Sequence, residues 1–117
     1  MNPKYEALFT PFKIGDVEIP NRIVQCSMGG TTLFGWLEPS HFDEEAANFL
    51  LQRAKDGVGL VLPGMQVIRD TMGRKWLDSN RQMYRVLKPY MDEYHKTGGK
   101  LFIQLAGGFG RSMAVTP

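Results

Sequence analysis

The sequence predicts an α/β fold built around a parallel sheet, and three observations predict it. Strand-like apolar runs at residues 22–28, 58–62 and 100–106 alternate with two stretches of helical periodicity. The middle run, Val58-Gly59-Leu60-Val61-Leu62, is apolar without alternation, as in a parallel strand covered on both faces. Connections from helix to strand are short, whereas those leaving strands are longer. Such alternation gives parallel strands joined by right-handed crossovers.

Each element follows from its residues. Residues 1–11 read as an irregular arm. Phe12-Lys13-Ile14 and Val17-Glu18-Ile19 flank Gly15-Asp16, a two-residue turn that predicts a hairpin, and Pro20 ends it. Residues 22–28 are apolar and partly β-branched, the first parallel strand, and the glycine-rich stretch 29–39 is a loop. Ser40 is the expected N-cap of a helix over 40–56, with Asp43 in the capping-box position and Asp43, Glu44 and Glu45 in the acidic first turn. Ala46, Phe49, Leu50 and Ala54 repeat at helical spacing, and Gly57 stops the helix. Pro63-Gly64 ends or bulges the second strand, with 66–68 as its candidate extension. Beyond a polar loop at 69–78, Ser79 and Gln82 repeat the capping-box pattern. Met83, Val86, Leu87, Tyr90, Met91 and Tyr94 share one helical face. Pro89 within it predicts a kink, or a helix that starts near Leu87. Gly98-Gly99 terminates it and residues 100–106 form the third strand.

Composition narrows the function. The chain of 117 residues is one domain at most, and 43% hydrophobic with 22% charged residues argues against disorder. A net charge of +2, with Lys and Arg scattered, does not suggest a nucleic-acid or membrane partner. The lone Cys26 excludes an internal disulfide and a Cys-based zinc site, and His41 and His95 are too far apart in sequence to suggest a metal site. The N-terminus has no apolar core of a signal peptide, and no run approaches the roughly 18 to 20 apolar residues of a spanning helix. The expected setting is a reducing, cytoplasmic one.

Pattern alone permits either a Rossmann-type sheet or the start of a (β/α)₈ barrel. A Rossmann sheet expects G-x-G-x-x-G directly after the first strand, opening into a helix. Here the glycines are Gly29, Gly30 and Gly35, at the wrong spacing and well before Ser40. The leading hairpin suits a plug across the N-terminal end of a barrel, so the loops favour the barrel without excluding the other. In both folds ligands sit at the carboxyl ends of the strands, which directs attention to residues 25–30 and to Gln104.

Four segments, in order, carry a family resemblance: Leu8-Phe9-Thr10-Pro11-Phe12-Lys13-Ile14-Gly15, Asn21-Arg22-Ile23-Val24, Arg53-Ala54-Lys55-Asp56-Gly57-Val58-Gly59-Leu60, and His95-Lys96-Thr97-Gly98-Gly99-Lys100-Leu101-Phe102-Ile103-Gln104-Leu105. The chain resembles the N-terminal part of the Old Yellow Enzyme family, FMN-dependent ene-reductases on a TIM (β/α)₈ barrel. The ending Gln104-Leu105-Ala106-Gly107-Gly108-Phe109-Gly110-Arg111 has Gly107 where much of the family has a histidine. This resembles the enoate reductase, dienoyl-CoA reductase and bile-acid-modifying branch, whose members carry an iron–sulfur cluster and a nucleotide (FAD) region after the barrel.

The resemblance implies site residues, each with a plainer alternative. Ser27, Met28 and Gly29 match the segment that lies along the flavin; the alternative is a tight strand exit. Many members have Ala-Pro before the Met and a polar residue after it, so Cys26-Ser27 and Gly29 depart from the pattern, and Cys26 reads as a packed thiol. Gln104 matches the glutamine that hydrogen-bonds the flavin pyrimidine ring, an edge an amide suits because it donates and accepts. Gly64 matches a small residue closing on the flavin, although Pro63 beside it is unusual. Leu33, Phe34 and Trp36 line a substrate pocket or simply pack. Arg111 is an anion clamp or a loop anchor. His41 and His95, in a helix first turn and last turn, are structural or solvated, and catalytic residues are not identifiable.

A complete barrel takes roughly 250 residues. The expectation is therefore that residues 1–117 are the N-terminal portion, about three βα units plus the hairpin, of a longer reductase. By the resemblance, NAD(P)H is the reductant and the substrate is an enoate, enone or acyl-CoA compound, reduced at its C=C bond; the isolated chain is expected to be inactive. The alternative is a non-catalytic half-barrel that pairs with another chain or with itself.

Overall fold

A computed structural model describes residues 2–34, 41–67 and 81–106, the side chains of Val67 and Gln82 excepted. The arm is more regular than predicted: Pro3–Phe9 forms a 3-10 helix. Asn2 caps it by accepting the Lys4 N–H at 3.0 Å, and Pro3 occupies a first-turn position where a missing donor costs nothing. The Arg22 N–H donates to the Leu8 carbonyl at 2.8 Å, tying the arm to the chain entering the sheet.

The hairpin forms as predicted. Strands β1 (Phe12–Ile14) and β2 (Val17–Ile19) pair antiparallel with Ile14 opposite Val17, leaving Gly15-Asp16 as the turn. Gly15 has φ +58°, as the first central residue of such a turn requires. Next in order come β3 (Val24–Gln25), α1 (Glu44–Lys55), β4 (Leu60–Val61), β5 (Gln66–Val67), α2 (Arg81–His95), β6 (Lys100–Leu101) and β7 (Leu105–Ala106). Strands β3, β4 and β6 form a parallel sheet in that order, with rungs Val24–Leu60–Lys100 and Gln25–Val61–Leu101.

These ladders are shorter than the apolar runs. Pro63 has no N–H for a ladder and the Gly64 N–H turns to Thr31, so β4 ends there. The chain then pairs again as β5 with β7, Gln66 opposite Leu105, a second parallel pair rather than a continuation of the first. At the opposite end, Asn21 donates through Nδ2 to the Gly57 carbonyl at 2.7 Å and accepts the Ile23 N–H at 3.0 Å. One side chain thus joins the entrance of β3 to the turn after α1.

Helix α1 begins later than predicted. Its N-cap is Asp43, whose carboxylate accepts the Ala46 N–H at 2.9 Å, so Asp43 is the cap itself and not the third residue of a box. Phe42 is held extended by an antiparallel bridge to Phe34, which keeps it out of the helix. His41 therefore precedes the helix. Helix α2 runs through Pro89, so a start near Leu87 is not what forms. An interior proline costs about 3 kcal/mol. The buried Met83 and Tyr94, with Leu87, Tyr90 and Met91 packed beside them, hold the helix across it. Ser40 and Ser79, predicted as caps, lie outside the described residues.

The core sits between the sheet and both helices. Ala47, Leu50 and Ala54 of α1 meet Val61, Met83 and Tyr94, with Leu33 and Phe34 closing one side. The rings of Phe34, Phe42, Tyr90 and Tyr94 form a chain with centroids 5.5, 5.8 and 6.0 Å apart. The Tyr90 hydroxyl donates to the Ala47 carbonyl at 2.9 Å and Tyr94 to the Lys100 carbonyl at 3.3 Å, so both phenols are paired. Burial pushes the Tyr94 phenol up to about 12. Burial, and then the neighbouring Tyr94, push Tyr90 upward too. No helix among the described residues is long and apolar enough to cross a membrane.

Candidate functional site

The strand exits set the site. The ladders stop at Gln25, Val61 and Leu101, and the three chain segments leave the sheet there. Four residues beyond the Val24–Leu60–Lys100 rung are Met28, Gly64 and Gln104. They lie where the three strands end, and there the chain opens into a cleft of about 330 Å³. Ser27, Met28, Gly29, Gly64 and Gln104 all line it, with Thr32 beside them. The structure thus brings the five sequence-predicted residues together.

Hydroxyl groups hold this cleft. Ser27 donates to the Pro63 carbonyl at 2.6 Å, joining the exits of β3 and β4. Thr31 donates to the Met28 carbonyl at 2.8 Å and accepts the Gly64 N–H at 2.8 Å. Thr32 donates to the Met65 carbonyl at 3.2 Å. Gly64 is a close-approach glycine: a Cβ there would lie 2.6 Å from Thr32 Oγ1 and 2.9 Å from the Met28 carbonyl oxygen. Sequence reasoning found Gly64 but missed Thr31 and Thr32. Nothing in their spacing marks them, because Thr31 reaches the Gly64 N–H and Thr32 the Met65 carbonyl, backbone groups more than thirty positions away.

Gln104 is fixed through its backbone and open at its side chain. Its carbonyl accepts the Gln66 N–H at 2.8 Å. Its exposed side-chain amide makes no hydrogen bond among the described residues. Met28 is 51% exposed. No charged side chain lines the cleft among the described residues. An amide that both donates and accepts, set among glycines, suits the edge of a flat, neutral heterocycle and not a phosphate. The residues present therefore fit the pyrimidine side of a flavin.

The other candidates fall elsewhere. Cys26 is exposed and not packed. His41 and His95 are exposed and do not line the cleft, and no His, Cys, Asp or Glu cluster suited to a metal occurs among the described residues. Leu33 and Phe34 belong to the core. They also border a second, apolar cavity of about 280 Å³ towards α2, which shares Gly64 with the cleft. Gln66 also lines this cavity, its Oε1 accepting the Phe34 N–H at 3.3 Å. Trp36, Arg111 and the glycines after Gln104 lie outside the described residues.

Comparison with known proteins identifies the family. The model of the NADH:flavin oxidoreductase / NADH oxidase family matches residues 7–115. Cinnamate reductase of Clostridium sporogenes is 32% identical over 118 residues, spanning 95% of this chain and 17% of that protein. Two solved structures share the fold. 2-Naphthoyl-CoA reductase in complex with 2-naphthoyl-CoA has a TM-score of 0.69 at 22% identity, over 86% of this chain and 16% of that one. The Old Yellow Enzyme homologue of Zymomonas mobilis has a TM-score of 0.63 at 23% identity, over 85% of this chain and 27% of that one. The chain thus spans under a third of each. On the family match, and with the cleft where such a barrel's strands end, the chain belongs to the NADH:flavin oxidoreductase (Old Yellow Enzyme) family.

Proposed function

We propose that residues 1–117 are the N-terminal part of the FMN-binding barrel of an NAD(P)H-dependent ene-reductase, acting on an alkene conjugated to a carboxylate, carbonyl or acyl-CoA thioester. The observation that carries this reading is the convergence of Ser27, Met28, Gly29, Gly64 and Gln104, from three strand exits, on one cleft. The kinship with cinnamate reductase supports the substrate class. When bound, FMN supplies the hydride chemistry. The chain's own residues bind and orient: Gln104 presents a donor and an acceptor to the pyrimidine edge. Gly29 and Gly64 leave room for the ring. Ser27 contributes small size, since its hydroxyl is committed to Pro63. On this reading, groups that hold substrate and deliver the proton belong to later strands, and any iron–sulfur cluster and FAD region to the chain after the barrel.

Absorbance of the purified full-length protein tests the reading. It should show bound flavin, released as FMN on denaturation, and NADH or NADPH should drive the loss of the cinnamate double bond. A protein that takes up no added FMN would sink the proposal. A second reading, of an assembly piece completed by another chain or a second copy, rests on β3 and β6 each having a single neighbour in their sheet among the described residues. A stable oligomer of the 117-residue chain without flavin would favour it; flavin bound to a protein containing this chain and its own remaining strands would count against it.

A further inference from the structure

Thr31 lies behind the residues that line the cleft and is 4% exposed. Its hydroxyl sits between backbone groups from two strand exits, donating to the Met28 carbonyl and accepting the Gly64 N–H, each at 2.8 Å. The same N–H reaches the Thr31 carbonyl at 3.2 Å. One hydroxyl therefore spans Met28 and Gly64, which face the cleft from neighbouring strands. The gap has no slack, since even a methyl on Gly64 would crowd the Met28 carbonyl oxygen at 2.9 Å. A hydroxyl can fill this place because it carries one donor and two lone pairs. Threonine suits it further because its branched Cβ restricts χ1.

We propose that Thr31 is a positioning residue for the flavin, touching neither cofactor nor substrate and acting through Met28 and Gly64. The inference rests on the FMN reading of the cleft. Without the hydroxyl, the Met28 carbonyl loses its donor and Gly64 keeps only the longer bond. A buried polar group left unpaired is unfavourable, so the loop relaxes and the cleft wall moves with it. Binding sites are sensitive to displacements well below an ångström in their supporting residues.

The test is FMN titration of the deflavinated full-length protein, following Kd and the visible absorbance maximum. Thr31→Val keeps the shape and removes the hydroxyl; its Kd should rise about tenfold, with a shifted maximum. Thr31→Ser keeps the hydroxyl and should stay within about threefold of wild type. Leu50→Ala, which weakens the helix-side core, should lower Tm yet keep the wild-type Kd and spectrum. Wild-type Kd and spectrum in Thr31→Val, equal impairment of Thr31→Ser, or an equal change in Leu50→Ala would each overturn the role of Thr31. If wild type itself takes up no FMN, the reading of the cleft fails first. Should Thr31→Val not fold, Thr31→Cys replaces it, with a thiol that donates and accepts weakly. Its Kd should lie above that of Thr31→Ser, and an unchanged Kd would overturn the proposal.

Discussion

Leu50, Val61 and Tyr94 are fully buried on the helix-facing side of the sheet, whereas Met28 at the strand exits is 51% exposed and its loop is held by Ser27, Thr31 and Thr32. Each region closes the same three strands by a different means. Apolar burial is strong and non-directional, so it stabilises without fixing distances to a fraction of an ångström. A hydroxyl bonded to backbone adds only about 1 kcal/mol net, but it sets separation and orientation. The fold rests on the first region, and the shape of the cleft on the second.

The largest expected effect separates them. Leu50→Ala removes a fully buried side chain of α1 and should lower unfolding free energy by about 2–5 kcal/mol in urea denaturation. Flavin affinity of the folded fraction should be unchanged; a parallel loss would mean that the two regions are one unit. Gly64→Ala attacks the other side. Its Cβ would lie 2.6 Å from Thr32 Oγ1, so the exit loop of β3 must shift. Destabilisation of about 1–3 kcal/mol is expected. FMN affinity should fall more steeply than in any core variant of equal stability, read by titration. Gln104→Leu is gentler. The side chain is exposed, so stability should change by less than about 0.5 kcal/mol. FMN should bind about tenfold more weakly with the loss of its paired donor and acceptor.

The two regions were also unequally legible in the sequence. Helix-side residues announce themselves: of Ala46, Phe49, Leu50 and Ala54 at helical spacing, all but the exposed Phe49 are buried. The hairpin was equally plain, because Gly15-Asp16 between short apolar runs has few other uses. Local rules failed where tertiary contacts chose between options. Ser40 and Asp43 are both capping residues, and the Phe34–Phe42 bridge favours the second by holding Phe42 extended. Asn2-Pro3 is a helix-start signal, and the 3-10 helix it opens buries no residue, so the local signal alone marks it. Cys26 reads as a packed thiol, yet the structure leaves it exposed. At the cleft, strand-end position pointed to residues 25–30 and Gln104, and the family resemblance singled out Ser27, Met28, Gly29, Gly64 and Gln104. Thr31 and Thr32, which hold the wall, were invisible because a hydroxyl's partner cannot be read along the chain.

The smallest effect expected tests the contrast by pH. Phenols on the helix side titrate, while the cleft has no titratable side chain among its described lining residues. Burial holds the Tyr94 phenol at about 12, against an ordinary value of 10.0. Below the ordinary value both folded and unfolded states keep the proton, so its contribution to stability is complete. Above it the unfolded state ionises first, and stability falls as pH rises, until the folded phenol also ionises near 12. Tyr90, shifted upward in the same way, adds to the slope. Urea midpoints measured at rising alkaline pH should therefore decline in wild type and decline less in Tyr94→Phe. Equal slopes would mean that Tyr94 ionises as readily folded as unfolded. The core would then be wetter than its geometry shows, and the contrast between a dry helix side and an open cleft would narrow.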